Sequence, residues 1–212
     1  MRRGPLFAGL VVALLALAPP VDALAERRQV VHMAQHVALL NLAGPLLGVA
    51  LPRRVLLRWV VTAAAAVLPV VVVAWHAPVL YERAVRVAAV HGVEHVLFVA
   101  AAMAFWFALT SPIRGENIVV LFAASLPVMV LGLGMTLSTT RWYAVYHEPL
   151  VRQQVAGAVM WGAGGAATVV AAVTLFYAWL SAATRSEHNR QASAPSASGN
   201  TSSAARSAHT TG

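Results

Sequence analysis

His32 and His36 stand four residues apart, as do His91 and His95, and Glu94 lies within the second pair. On an α-helix this spacing puts each set on one face. Two such helices can present four imidazoles and a carboxylate to a common centre. Groups of this kind ligate first-row metals, and they also build hydrogen-bonded networks or proton relays between helices. His76 adds a fifth imidazole, after Trp75 and ahead of Pro78. Glu94 reads as a ligand, as a partner that orients an imidazole, or as a buried acid held by arginine. Cysteine is absent, which excludes thiolate ligation and iron–sulfur centres. Met33 and Met135 are candidate soft donors, whereas Met103 and Met129 lie deeper and read as packing residues. Imidazole and thioether without thiolate is the set expected for copper on the oxidising side of a membrane; zinc and iron also accept imidazoles.

What must position these side chains is a series of long apolar blocks. Hydrophobic residues form 59% of the 212 positions and charged residues 10%, against about a quarter charged in a soluble domain. The blocks have the length needed to cross a bilayer, and short polar gaps containing proline divide them. The expected fold class is all-α, a polytopic transmembrane helical bundle. Residues 1–25 have the three-part form of a secretory signal peptide: Arg2 and Arg3, an apolar stretch from Leu6 to Ala18, and a cleavage position after Ala25. The alternative is an uncleaved first membrane helix. Five helices are expected after it, or six if it is retained, over about 29–50, 59–75, 85–109, 118–137 and 155–180. In the first of the five, Pro45 cannot donate to the Asn41 carbonyl, which predicts a kink. Gly44 and Gly48 form a small-xxx-small step that admits a close neighbour. Residues 26–183 make the bundle, and 184–212 read as a disordered polar tail.

Alternating helix direction then has a consequence that no single motif carries. His32, His36, His76, His91 and His95 all fall at the same end of their helices, and His147 lies in a loop at that end. The export-like start makes this side extracytoplasmic. Arginine flanks both sides about equally, so the positive-inside bias gives no preference. All fifteen basic residues are Arg, and they sit at the ends of apolar runs, where they meet the headgroups of the lipid bilayer. No basic patch interleaved with aromatics suggests nucleic acid. A homo-oligomer is compatible with the pattern.

Two other chemistries remain open at this point. The string His91-Gly92-Val93-Glu94-His95 matches the inverted zinc-protease motif, yet it leaves a third ligand and a substrate groove unidentified. Haem held by imidazoles on facing helices, as in a membrane electron-transfer protein, is the stronger rival to copper. A scaffold whose histidines only pack is the third reading.

Four separated blocks resemble the caa3-type cytochrome c oxidase assembly factor family, the multi-helix membrane proteins called CtaG. They are His32-Met33-Ala34-Gln35-His36 with Gly44-Pro45 after it, Trp75-His76-Ala77-Pro78 with Tyr81, His91-Gly92-Val93-Glu94-His95 with Phe105-Trp106, and Gln153 with Ala156-Gly157 and Met160-Trp161. The resemblance covers about residues 30–165. Where the family usually has an acid before the last block's Gln, this chain has Arg152. The resemblance implies no turnover chemistry and hence no enzyme. It implies a part in maturing haem–copper oxidase at its copper centres, with oxidase subunits as partners, on the outer side of the bacterial plasma membrane. Together with the one-sided histidines it gives the favoured expectation: Cu(I) is held or delivered through His36, His76, His91 and His95. Glu94 and His32 come next, and Met33 and Met135 are accessory donors.

Overall fold

A chain in lipid must close its backbone hydrogen bonds internally, and apolar runs of about 20 residues do so as helices. The computed structural model describes residues 1–193, and among these there are helices and no strands. Helices α1 (Arg3–Ala16) and α2 (Pro19–Ala25) meet at a bend of 53° where two prolines open α2. After α3 (Gln29–Ala38) comes a wide π-type turn over Leu39–Ala43 and then α4 (Gly44–Ala50). The others are α5 (Arg58–Trp75), α6 (Pro78–Arg86), α7 (Ala88–Thr110), α8 (Glu116–Leu137) and α9 (Leu150–Ser193). Five of the resulting segments are long and apolar enough to cross a membrane, six if the bent α1–α2 pair makes one span. Large apolar side chains such as Leu14, Val70, Val130 and Tyr177 are exposed around the bundle, as expected of surfaces that face acyl chains rather than water. The fold is the all-α polytopic bundle that the composition implies.

Two local differences have physical causes. The kink expected near Pro45 takes the form of the wide turn over Leu39–Ala43, which absorbs the proline's missing donor by lengthening the hydrogen-bonded ring. The last helix starts at Leu150 and runs on to Ser193, beyond its apolar stretch, through exposed Ala, Arg, Glu and Gln, which are good helix formers. Residues 194–212, most of the expected polar tail, lie outside the described residues.

The step at Gly44 and Gly48 is where the bundle is tightest. A Cβ on Gly48 would come 2.7 Å from the Met103 carbonyl oxygen and 2.9 Å from the Phe107 nitrogen, so α4 lies backbone to backbone on α7. The contact includes the wide turn, but α3 draws away from α7 and packs on α9 instead. The two helices are thus closed at the glycine end and open at the histidine end. Gly48→Ala forces the pair apart, and we expect it to lower stability in detergent by about 1–3 kcal/mol. Gly162→Ala, at a position open to 4 Å, should be neutral or slightly stabilising, and thermal unfolding of the two variants checks the contrast.

Candidate metal centre

The buried residues of α7 follow one stripe: His91, Glu94, His95, Phe98, Ala101, Ala102, Phe105, Ala108 and Leu109. Its first turns are polar and the rest is apolar. On α3 the buried set is Gln29, His32, Met33, Gln35 and His36. The gap between the two helices is filled where these stripes face each other. The His32 ring stacks on His91 at 5.0 Å and 15°, and lies 4.2 Å from the His36 ring. His36 in turn meets His95 at 5.5 Å.

His32, His36, His91 and Glu94 each bring one ligand atom to within 4.8 Å of the others, and all four residues are buried. Glu94 Oε2 is 3.7 Å from His36 Nε2 and 4.0 Å from His91 Nε2. These separations are too long for hydrogen bonds. They are slightly wider than the roughly 3.3 Å expected between donors that share one tetrahedral ion at about 2.0–2.1 Å. Both nitrogens of His32 and His36, His91 Nε2 and both Glu94 oxygens are buried with no hydrogen-bond partner among the described residues. An unsatisfied buried polar atom costs about 1–3 kcal/mol, so the layer as it stands is expensive. A cation taken in by these atoms would satisfy several at once. The residues present therefore fit a metal ion by position and by donor type.

The other expected residues are placed as follows. His95 lies one turn below His91, with ring centroids 4.1 Å apart, and belongs to a second group with His91 and Asp22. His76 closes α5 and stands outside both groups, its ring 6.2 Å from that of His36. The Trp75–Pro78 corner pins it: Pro78 opens α6, and His76 Nδ1 donates to the Val72 carbonyl at 2.8 Å. That bond fixes the tautomer and leaves Nε2 as a buried, unpaired acceptor. Burial holds its pKa down at about 4, the Val72 bond opposing the shift. Met33 lines a cavity of about 70 Å³ with His36, His76 and Met160. Met135 is fully buried in the apolar cluster that contains Met33, Phe98 and Met160. His147 is exposed in the loop after α8.

That loop closes over the layer. Tyr143 stacks on Tyr81 at 3.8 Å and donates to the His76 carbonyl, while Tyr146 donates to the Ala25 carbonyl. Tyr81 lies 5.0 Å from the His32 ring. Contacts with three helices or helix ends hold the loop down: Glu82 accepts from the Ala144 amide, Gln153 accepts from the Trp142 amide, and the loop's own Glu148 accepts from the Gln29 amide and pairs with Arg28. Gln153 thus has a visible task as a loop clamp, whereas the neighbouring Arg152 is exposed. Sequence reasoning misses Asp22, because it lies inside a segment that reads as a leader. The available signal was an acid alone in an apolar stretch just after two prolines.

Burial raises the pKa of the Tyr81, Tyr143 and Tyr146 phenols. The folded chain then keeps protons that the unfolded chain releases above about pH 10. These groups leave stability unchanged below that pH and lower it as pH rises beyond it. In an alkaline titration we expect the three phenols to ionise only as the helices melt, which phenolate absorbance followed alongside circular dichroism will check.

A family model described as Cytochrome c oxidase caa3 assembly factor matches residues 2–182 of the chain. No curated protein and no solved structure matches it.

Proposed function

This chain belongs to the cytochrome c oxidase caa3 assembly factor family, and from that premise we propose that it carries Cu(I) for the maturing oxidase. His32, His36 and His91 hold the ion, and Glu94 is the carboxylate that neutralises its charge and orients His36 and His91. His76, with its free Nε2 beside His36, and Met33, on the cavity behind them, are accessory donors next to the layer. Met135 supports Met33 from within the same apolar cluster. The ion is cargo, so no turnover chemistry is assigned.

One observation carries this reading: the buried nitrogen and oxygen atoms that face one another without hydrogen bonds. A purely structural polar layer would pair them, because half-satisfied networks destabilise a core. Three imidazoles suit a copper ion, and the absence of thiolate suits an oxidising compartment. The cluster end of the bundle, with the covering loop, faces the extracytoplasmic side of the plasma membrane, where oxidase subunits receive the metal.

Anaerobic titration of the detergent-purified protein with Cu(I) should find about one tight site, weakened about a hundredfold or more in His32→Gln and His91→Gln. If the wild-type protein binds no Cu(I) while both variants still lose oxidase assembly in cells, function lies in protein contacts alone. A Soret band lost in the same variants would replace copper with haem. The side is checked separately. The chain has no Cys, so His147→Cys gives one exposed thiol in the loop. A membrane-impermeant maleimide should label it in intact cells.

A further inference from the structure

His91 is shared between two groups of potential ligands, and its two ring nitrogens face different carboxylates. Nε2 points toward Glu94 in the buried layer, at 4.0 Å. Nδ1 lies 3.5 Å from Asp22 Oδ1. Asp22, His91 and His95 bring ligand atoms to within 4.8 Å of one another, and His95 Nε2 is buried without a hydrogen bond among the described residues. Asp22 is the more accessible member: its side chain is 37% exposed against 3% for His91. Gln35 holds it in position, donating to Asp22 Oδ1 at 3.1 Å and to the Ala16 carbonyl at 3.0 Å.

The space in front of this group is an open groove between the N-terminal helices and α7. Leu10 and Leu17 line one wall, Val96, Val99 and Met103 the other, with Asp22 at one end. A cation in an apolar groove is drawn to the one carboxylate there, and two imidazoles beside that carboxylate complete a ligand set. Resting on the copper reading above, we propose that Asp22, His91 and His95 form an outer entry site from which His91 passes Cu(I) to the buried layer.

A neutral imidazole has one lone pair, because its other nitrogen carries the proton. His91 therefore serves one side at a time. With the ion on Nδ1, its companions are His95 and the charge of Asp22. With the ion on Nε2, they are His32 and His36, and the ring proton ends on the nitrogen that the ion left. The ion stays Cu(I) throughout, so no electron donor or acceptor is required. The two sites are alternatives filled in turn, and residues 1–25 are part of the working protein rather than a discarded leader.

Full-length protein in nanodiscs, loaded from the Cu(I)–bicinchoninate complex under anaerobic conditions, tests this. Asp22→Asn and His95→Gln should slow loading about tenfold or more, with the final stoichiometry and affinity of one ion unchanged. His32→Gln should lose tight binding and leave a weaker ion with few nitrogen ligands in X-ray absorption, absent from the His32→Gln/His95→Gln double variant. Wild-type rates in both outer-site variants would overturn the entry site and leave the buried site intact. A wild-type protein that takes up no Cu(I) would overturn both. An intact mass of the membrane-purified chain lacking residues 1–25 would overturn the entry site alone.

Discussion

The structure depends on a wedge-shaped gap between two helices that is filled with polar atoms having nothing to bond to. At the glycine end α4 touches α7 through its backbone. Towards the other end α3 leaves α7, and imidazoles from both bridge the opening. Apolar side chains could fill such a wedge with no polar penalty. Instead it holds three imidazoles and a carboxylate whose facing atoms are buried and unpaired, an arrangement that is stable only because the surrounding packing over-determines it.

The surroundings supply that rigidity in layers. Phe98 lies 4.7 Å from the His36 ring and floors the layer. Tyr81 covers His32, Tyr143 covers Tyr81, and the hydroxyls of Tyr143 and Tyr146 reach past the rings to backbone carbonyls. The aromatic cover excludes water, and low polarity strengthens whatever charge interaction occurs inside. The same cover also makes a preorganised cavity for a cation, since no side chain has to give up a partner to bind one.

Much of this was legible in the sequence, for reasons that can be named. The helical class follows from apolar block length, and the placing of His32, His36, His76, His91, Glu94 and His95 at one end of the bundle follows from four-residue spacing plus alternating direction, though not which of them meet. The Gly44–Gly48 step identifies the tight crossing because only a missing Cβ allows it. Other features were hidden. Spacing along α7 treats His91 and His95 alike, yet three-dimensional packing sends His95 to a group with Asp22. His76 belongs to the same end of the bundle, but the turn into α6 places it beside the donor group rather than within it. Asp22 was concealed by its setting: Arg2, Arg3 and the apolar run ahead of it give the same pattern for an exported leader and for a helix that stays.

The wide turn over Leu39–Ala43 sets an angle as well as relieving a proline. A regular α-helix turns by about 100° per residue, so His36 and Gly48, twelve residues apart, would point about 120° away from each other. A π-type turn takes up one extra residue, which brings the difference down to about 20° by the same arithmetic. Both residues can then face α7 at once. The turn acts as a phase shifter: one surplus residue rotates the upper half of the rod until its imidazoles and the lower half's glycines address a single neighbour. Any ligand or partner that straightened this turn would swing the imidazoles out of the wedge without moving the glycine hinge below them.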